Sequence, residues 1–552
     1  MIEHALTDSA RLEFALSMMV HQIFVPLFIG LMLVTAIFET LYVTKSNAEY
    51  KSAAQFIGKL CLPIVFVLII TGILTPPMPE DWQQLDIFIN SVFSEYVGLL
   101  GTIVSTGMML WLTAVSLFYV GWRYLPAKVH LFITWLLPFI CAYTELPVIV
   151  LNGWMHDPSS AMQFDINTMT YQASSLLEIV STPMASTRFA HMFTGAFLIG
   201  GVTLISLSCY YLQKNRQQAF AQTGVVIGAS IGLCFSLFAI FSGDIHGRDV
   251  HQAQPMKLAQ LEALWKTQQD GADLVLFALP DQQAEENRFE VKIPKVLGWM
   301  LSGTDDTQPV KGIKQLRAEN MQRIRNGLLA HQAIAAYSSS SNKQAKRELI
   351  QAHQQDLGYA ELVRKYNPDL IEVTEEQIRL AANDTVNNVC LLFFSFRVMV
   401  GAGIFILLLS SYWIYLAIKG RVNSVSTRLL KLSTYALPIP FIAYLSGWLL
   451  SEYGRQPWVI YGVMPTLQGA GSFATGQTNG FQLPTLLMSY AALFLILGVI
   501  LARWIKQGPK PAISVEKVCL QAGAIQTDAL EAEPAKTAST TATLTNIKPE
   551  SL

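Results

Sequence analysis

Nine stretches of the chain stay apolar over the roughly 20 residues a helix needs to cross a bilayer. They lie near 14–43, 54–75, 94–119, 129–151, 188–212, 222–242, 389–418, 432–451 and 484–504. Lipid offers no hydrogen bonds to a bare backbone, so each stretch is predicted to be helical. The pattern predicts an all-α membrane protein, with transmembrane helices one to six in residues 1–242 and seven to nine in 389–506. A large polar insertion, 243–388, separates the two groups, and helical spacing recurs within it in QAQPMKLAQLEALWKT and IKQLRAENMQRIRNGLLAHQAIAAY. Residues 507–552, rich in Ala, Thr, Glu and Lys with little to bury, predict a disordered tail.

Charge in the connections predicts the orientation. One set carries Lys45 and Lys51, Arg123 and Lys128, Lys214 and Arg216, then Lys419, Arg421, Arg428 and Lys431, and finally Arg503, Lys506 and Lys510. The alternate loops are poor in Lys and Arg: 76–92 carries Glu80, Asp81 and Asp86 with no basic residue, and 152–187 carries Asp157, Asp165 and Glu178. By the positive-inside rule the basic set faces the cytoplasm, which puts the N-terminus and the insertion outside and the C-terminus inside. The first residues, MIEHALTDSA, are acidic where a cleaved signal would be basic, so span one is expected to be retained.

Composition narrows the classes. The 552 residues are 52% hydrophobic and only 14% charged, which excludes a single soluble core, and a net charge of −1 leaves no electrostatic footprint for nucleic acid. The six cysteines show neither CxxC nor CxxCH spacing, against a disulfide scaffold, a zinc site or covalently attached haem.

Coordinating and ionisable groups inside apolar spans are costly unless they are paired, so they are the candidate site. His191 follows TRFA in span five and Met399 lies in FSFRVMVGAG in span seven. A His and a Met on facing helices would fill both axial positions of a haem iron, giving a low-spin centre that passes electrons. The plainer alternative for Met399 is core packing. His21, in LSMMVHQIFVPL, is a third potential iron ligand or a histidine hydrogen-bonded to a neighbouring helix. Arg397 could neutralise a haem propionate or snorkel to the interface. Glu145, six residues from the predicted end of span four, is placed about 9 Å below the interface, where a carboxylate is protonated, paired or functional. Glu39 and Lys59 read as interfacial charges. Beyond the spans, Lys257 and Glu262 in MKLAQLEALW and Glu452 in EYGRQPW suit a hydroquinone, which needs a donor to hold one oxygen and a base to take its proton. As isolated loop charges they would be surface residues.

The segments ARLEFALSMMVHQIFVPL, LNGWMHDP, RFAHMFTG, MKLAQLEALW, RIRNGLLA, FSFRVMV and EYGRQPW, in that order, resemble subunit I of the cytochrome bd quinol oxidases. The resemblance implies that His191 and Met399 bind a low-spin haem b with Arg397 beside it. It implies that His21 ligates a high-spin haem, with one or two further high-spin haems of type b or d in all. Lys257 and Glu262 become the quinol-loop pair, adjoined by Glu452 and the run Gly454, Arg455, Gln456, Pro457 and Trp458. It further implies a bacterial plasma-membrane location, a subunit II partner with small membrane subunits, a membrane quinol substrate and reduction of oxygen to water. Three departures stand against it. Two acidic residues of the family's span three fall at Ile103 and Trp111, and a carboxylate three residues before Trp448 falls at Leu445. Glu145 is expected to replace part of what is lost. The departures keep an alternative open: a quinol-linked electron-transfer or redox-sensing protein that retains the low-spin haem b without reducing oxygen.

Overall fold

The computed structural model describes residues 2–74, 83–302, 309–337, 342–469 and 482–510. Among them, nine helices have the length and composition of membrane spans. In chain order these are Ile2–Lys45, Ala48–Leu74, Val97–Tyr124, Ala127–His156, Pro183–Gln213, Gln218–Ala253, Val389–Ile418, Thr427–Tyr453 and Gln482–Gln507. Span eight is broken into Thr427–Tyr435 and Ile439–Tyr453. Its TYALPIPF sequence places Pro438 and Pro440 there, and a proline lacks the N–H that would carry the ladder on. The tail expected at 507–552 lies, beyond Lys510, outside the described residues.

Two spans outrun their apolar windows. Span four continues from 151 to His156 and span six from 242 to Ala253. Each stops two residues before a proline, Pro158 and Pro255, because the residue preceding proline is driven out of the helical region. The insertion therefore begins at Gln254, and Glu145 lies 11 residues from the end of its helix, about 16 Å along it rather than 9 Å. The first helix expected in the insertion opens at Pro255 and ends at Leu261, just before Ala263 takes a left-handed φ of +49°, whereas the second runs Ile313–Tyr337 over the whole of its periodic segment. The insertion holds in addition an antiparallel hairpin, Leu274–Asp281 with Glu286–Ile293, that helical periodicity did not anticipate.

Spans one and five form the heart of the bundle, with 78% of their most apolar window buried, against 11% for span nine. They cross in backbone contact, since a Cβ on Gly30 would lie 2.3 Å from the Ala196 carbonyl and only glycine permits that approach. At the end of the bundle away from the insertion, span one is tied to spans three and four through buried Glu39. Its Oε1 lies 2.6 Å from His130 Nδ1, its Oε2 accepts from Thr134 Oγ1 at 2.7 Å, and His130 Nε2 lies 2.8 Å from the Phe118 carbonyl. A neutral carbonyl can only accept, so Nε2 keeps its hydrogen, and one further proton is shared between His130 and Glu39. The pair is thus neutral overall, which makes its burial tolerable. Glu39 is no interfacial charge.

Candidate functional site

Spans five, six, seven and eight enclose His191 and Met399. His191 Nδ1 is held by Ser242 Oγ of span six at 3.1 Å, which leaves Nε2 for a metal. A Cβ on Gly243 would come within 3.2 Å of the imidazole, and a Cβ on Gly447 of span eight within 3.1 Å of Met399 Sδ. Glycine is what leaves space beside each prospective ligand. One turn from His191, Gly195 faces the ring of Tyr444, which lies one turn before Gly447, so His191 and Met399 flank the same stretch of span eight. This donor set, a soft thioether and an imidazole each with glycine-made room beside it, fits a low-spin haem.

Tyr444 also reaches the third candidate. Its hydroxyl donates to Gln22 Oε1 at 3.3 Å, next to His21 on span one. His21 Nδ1 lies 2.8 Å from Thr71 Oγ1 of span two, and Nε2 lies 3.8 Å from Glu145 Oε1 of span four. The structure thus brings together the histidine and the carboxylate that the sequence could only place at similar depth. Of the positions lacking family carboxylates, Trp111 is buried and packs edge-on against Phe28, two turns from His21. Span eight does carry a carboxylate, Glu452, four residues past Trp448 and so one turn along the same face.

At the insertion end the loop charges are not surface residues. Lys257 and Glu262 are 4% and 2% exposed. Lys257 Nζ donates to the Ser451 carbonyl at 2.9 Å, and its stem packs so closely on Gly454 that a Cβ there would lie 3.1 Å from Lys257 Cε and 2.5 Å from the Leu450 carbonyl. Burial, reinforced by the Arg188 and Arg455 cations, pushes the Lys257 ammonium well below its usual range, with Glu452 opposing. Glu262 is raised by burial, with Arg397 as its counterweight: Arg397 Nη2 donates to Glu262 Oε2 at 2.6 Å, Nη1 to the Leu261 carbonyl at 2.6 Å, and Nη2 also to the Val275 carbonyl. Arg397 is therefore the anchor of the insertion on span seven.

Glu452 sits in a cluster the sequence reading missed. Its Oε2 accepts from Arg455 Nη2 at 2.7 Å, and its Oε1 lies 3.3 Å from His156 Nε2, 3.3 Å from Asn152 Nδ2 and 3.5 Å from Arg188 Nη1. Arg188 also bonds Ser451 Oγ and Asn152 Oδ1. His156 and Arg188 were visible in LNGWMHDP and RFAHMFTG, but nothing local joins them to a carboxylate some 260 to 300 residues away. Arg455 Nε and Nη1 are buried with no protein partner among the described residues, which suits an oxygen-bearing guest. In the rest of that run, the Gln456–Pro457 peptide is cis, Gln456 Oε1 accepts from Thr466 Oγ1 at 2.9 Å, and Trp458 is buried against Tyr359 with ring centroids 5.0 Å apart. Lys257, Gln260, Asn320, Tyr359, Gly454 and Gln456 line a water-sized cavity between the insertion and span eight.

This nine-span bundle with an insertion docked on spans seven and eight is that of a respiratory membrane oxidase, and the chain belongs to the cytochrome bd terminal oxidase subunit I family, whose model matches residues 9–509. It is a multi-pass protein of the bacterial inner membrane. It is 32% identical over 519 residues to cytochrome bd-II ubiquinol oxidase subunit 1 of Escherichia coli, covering 94% of this chain and 99% of that one. It is 26% identical over 504 residues to cytochrome bd ubiquinol oxidase subunit 1 of Bacillus subtilis, covering 90% and 93%. The fold matches the bd oxidase structure from Geobacillus thermodenitrificans with a TM-score of 0.70 at 19% identity, covering 92% of this chain and 99% of that one.

Proposed function

We propose that this chain is the haem-bearing subunit of a quinol:oxygen oxidoreductase, oxidising a membrane quinol near Lys257 and Glu262, where the insertion meets spans seven and eight. His191 and Met399 would hold a low-spin haem b, His21 a high-spin haem of the oxygen-reducing site, and Arg455 an oxygen of a propionate or of the quinol. When bound, these haems carry electrons singly and supply the iron at which oxygen becomes water. The chain does the rest. Lys257, its ammonium disfavoured by burial, can hold a quinol hydroxyl, and Glu262, whose carboxylate Arg397 supports against burial, can take its proton. Glu145, within 4 Å of His21, stands in part for the carboxylates lost at Ile103 and Trp111. Basic connections put the insertion outside, so protons leave the quinol there and those used on oxygen come from the cytoplasm, building a membrane potential. Oxidases of this family work with a subunit II, which the exposed apolar faces of the outer spans would meet, along with small membrane subunits.

The observation that carries this reading is that one stretch of span eight, Tyr444 to Gly447, touches the surroundings of both His191/Met399 and His21. The test is a set of spectra of the purified complex. His191→Ala and Met399→Leu should each remove the low-spin bands on reduction, and carbon monoxide should shift a high-spin band that His21→Ala abolishes. Unaltered spectra would refute the ligand set. The apolar, buried Trp111 favours the second reading, electron transfer without oxygen reduction; a complex with low-spin bands, no carbon monoxide shift and no oxygen uptake would establish it.

A further inference from the structure

The hairpin Leu274–Asp281/Glu286–Ile293 carries an apolar surface that the described residues leave largely uncovered. Phe289 is 78% exposed and Val291 56%, and Leu276, Phe277, Leu279 and Ile293 are each more than 40% exposed. Charged residues alternate with these on the second strand and are satisfied, Lys292 by Asp273 at 2.9 Å and Arg288 by Asp281. The hairpin thus buries Val275 and Ala278 in the core of the insertion, pairs its charges, and leaves Phe289, Val291 and their neighbours bare. Phe289 moreover has φ of +51°, a left-handed conformation that is costly for a bulky side chain and is not offset by packing within the chain.

Depth decides what covers this face. The 30 residues of span seven make a helix about 45 Å long, some 15 Å more than the hydrocarbon layer. With that excess shared between its ends, the hydrocarbon boundary falls about five residues in, at Phe394. Phe277 meets Phe394 edge-on with centroids 6.2 Å apart, and the Val275 carbonyl accepts from Arg397, three residues deeper. The hairpin therefore lies level with the start of the hydrocarbon, continuous with a span-seven face that exposes Leu391, Val398, Ile404 and Leu408. Exposed Trp299, in the helix Val296–Ser302 that follows, is the aromatic type favoured at that level.

We infer that the 274–293 hairpin is an interfacial element, seated with Phe277, Phe289 and Val291 among the acyl chains of the leaflet on the insertion side. Its partner is phospholipid rather than a second protein. Because Val275 holds Arg397, and Arg397 holds Glu262, lipid seating bears on the carboxylate that would serve quinol; that last link rests on the quinol-site reading, whereas the seating does not. The test uses the intact complex in nanodiscs containing a phospholipid with a diazirine near the start of its acyl chain, photolysed and mapped by peptide mass spectrometry. Adducts are expected on the peptides carrying Phe277, Phe289 and Val291 at a yield comparable to those on span seven, with none on Ile313–Tyr337, and loss from the second strand in Phe289→Ser/Val291→Ser. Labelling of span seven without the hairpin in the unsubstituted protein would overturn the inference. So would protection of Phe289 from hydroxyl radicals without lipid adducts, which would mean that protein covers the face.

Discussion

Arg397→Leu isolates the counterweight on Glu262. The guanidinium and carboxylate meet at 2.6 Å with side chains 17% and 3% exposed, so removing the cation strands a charge that water barely reaches. Breaking a buried pair from one side costs about 3–5 kcal/mol. The carboxyl can escape most of that by keeping its proton, which moves its pKa further in the direction burial already drives it. In the variant Glu262 should therefore be a poorer acceptor of the quinol proton. The assay is the pH dependence of kcat/KM for quinol oxidation by the complex in nanodiscs. The acidic limb, where activity falls as Glu262 takes up its proton, should move to higher pH. Stability provides a second readout: the temperature at which half the haem absorbance is lost should fall in Arg397→Leu and largely recover in Arg397→Leu/Glu262→Gln, where no charge is left stranded. An acidic limb that stays put, or a double variant as labile as the two single losses combined, would refute the reasoning.

Three further outcomes are expected. Lys257 has its pKa lowered on folding, so between that value and its ordinary 10.5 the unfolded chain binds the extra proton and stability rises with pH; melting of the complex from about pH 7 to about pH 9 should show this gain, and Lys257→Met should lose it. Gly447→Val places carbon atoms where Met399 Sδ lies 3.1 Å from a bare Cβ position, so the low-spin spectrum should be altered while the carbon monoxide shift survives; an unchanged spectrum would remove Met399 from the ligand set. Glu145→Gln should lower oxygen uptake and disturb the high-spin bands while the low-spin haem still reduces, and normal values would dismiss Glu145 as a replacement carboxylate.

The spans were legible because lipid demands an unbroken apolar helix, a requirement that acts residue by residue. Their ends were not: spans four and six continue through polar residues until Asp157 and Gln254 meet prolines. The 274–293 hairpin escaped notice because its period-two alternation is short and its apolar residues are split between the insertion's core, with Val275 and Ala278, and an uncovered surface. Within the site, His21, His191, Met399, Lys257 and Glu262 could be named from motifs, since each sits in a distinctive local string. What joins them could not be read, because Tyr444 to Gln22, Arg188 to Glu452 and Arg397 to Glu262 are pairings over 135 to 422 residues that only packing brings about. The burial of Lys257 likewise depends on Gly454, a contact with no local signature.

The neutral pair at Glu39 bears on how the chain is made. Its acid is synthesised 91 residues before the histidine that completes it. Until span four leaves the ribosome, the first hairpin of helices holds a carboxyl group without its base. The buried polar contact that ties span one to span four is therefore complete only once the first four spans have been made.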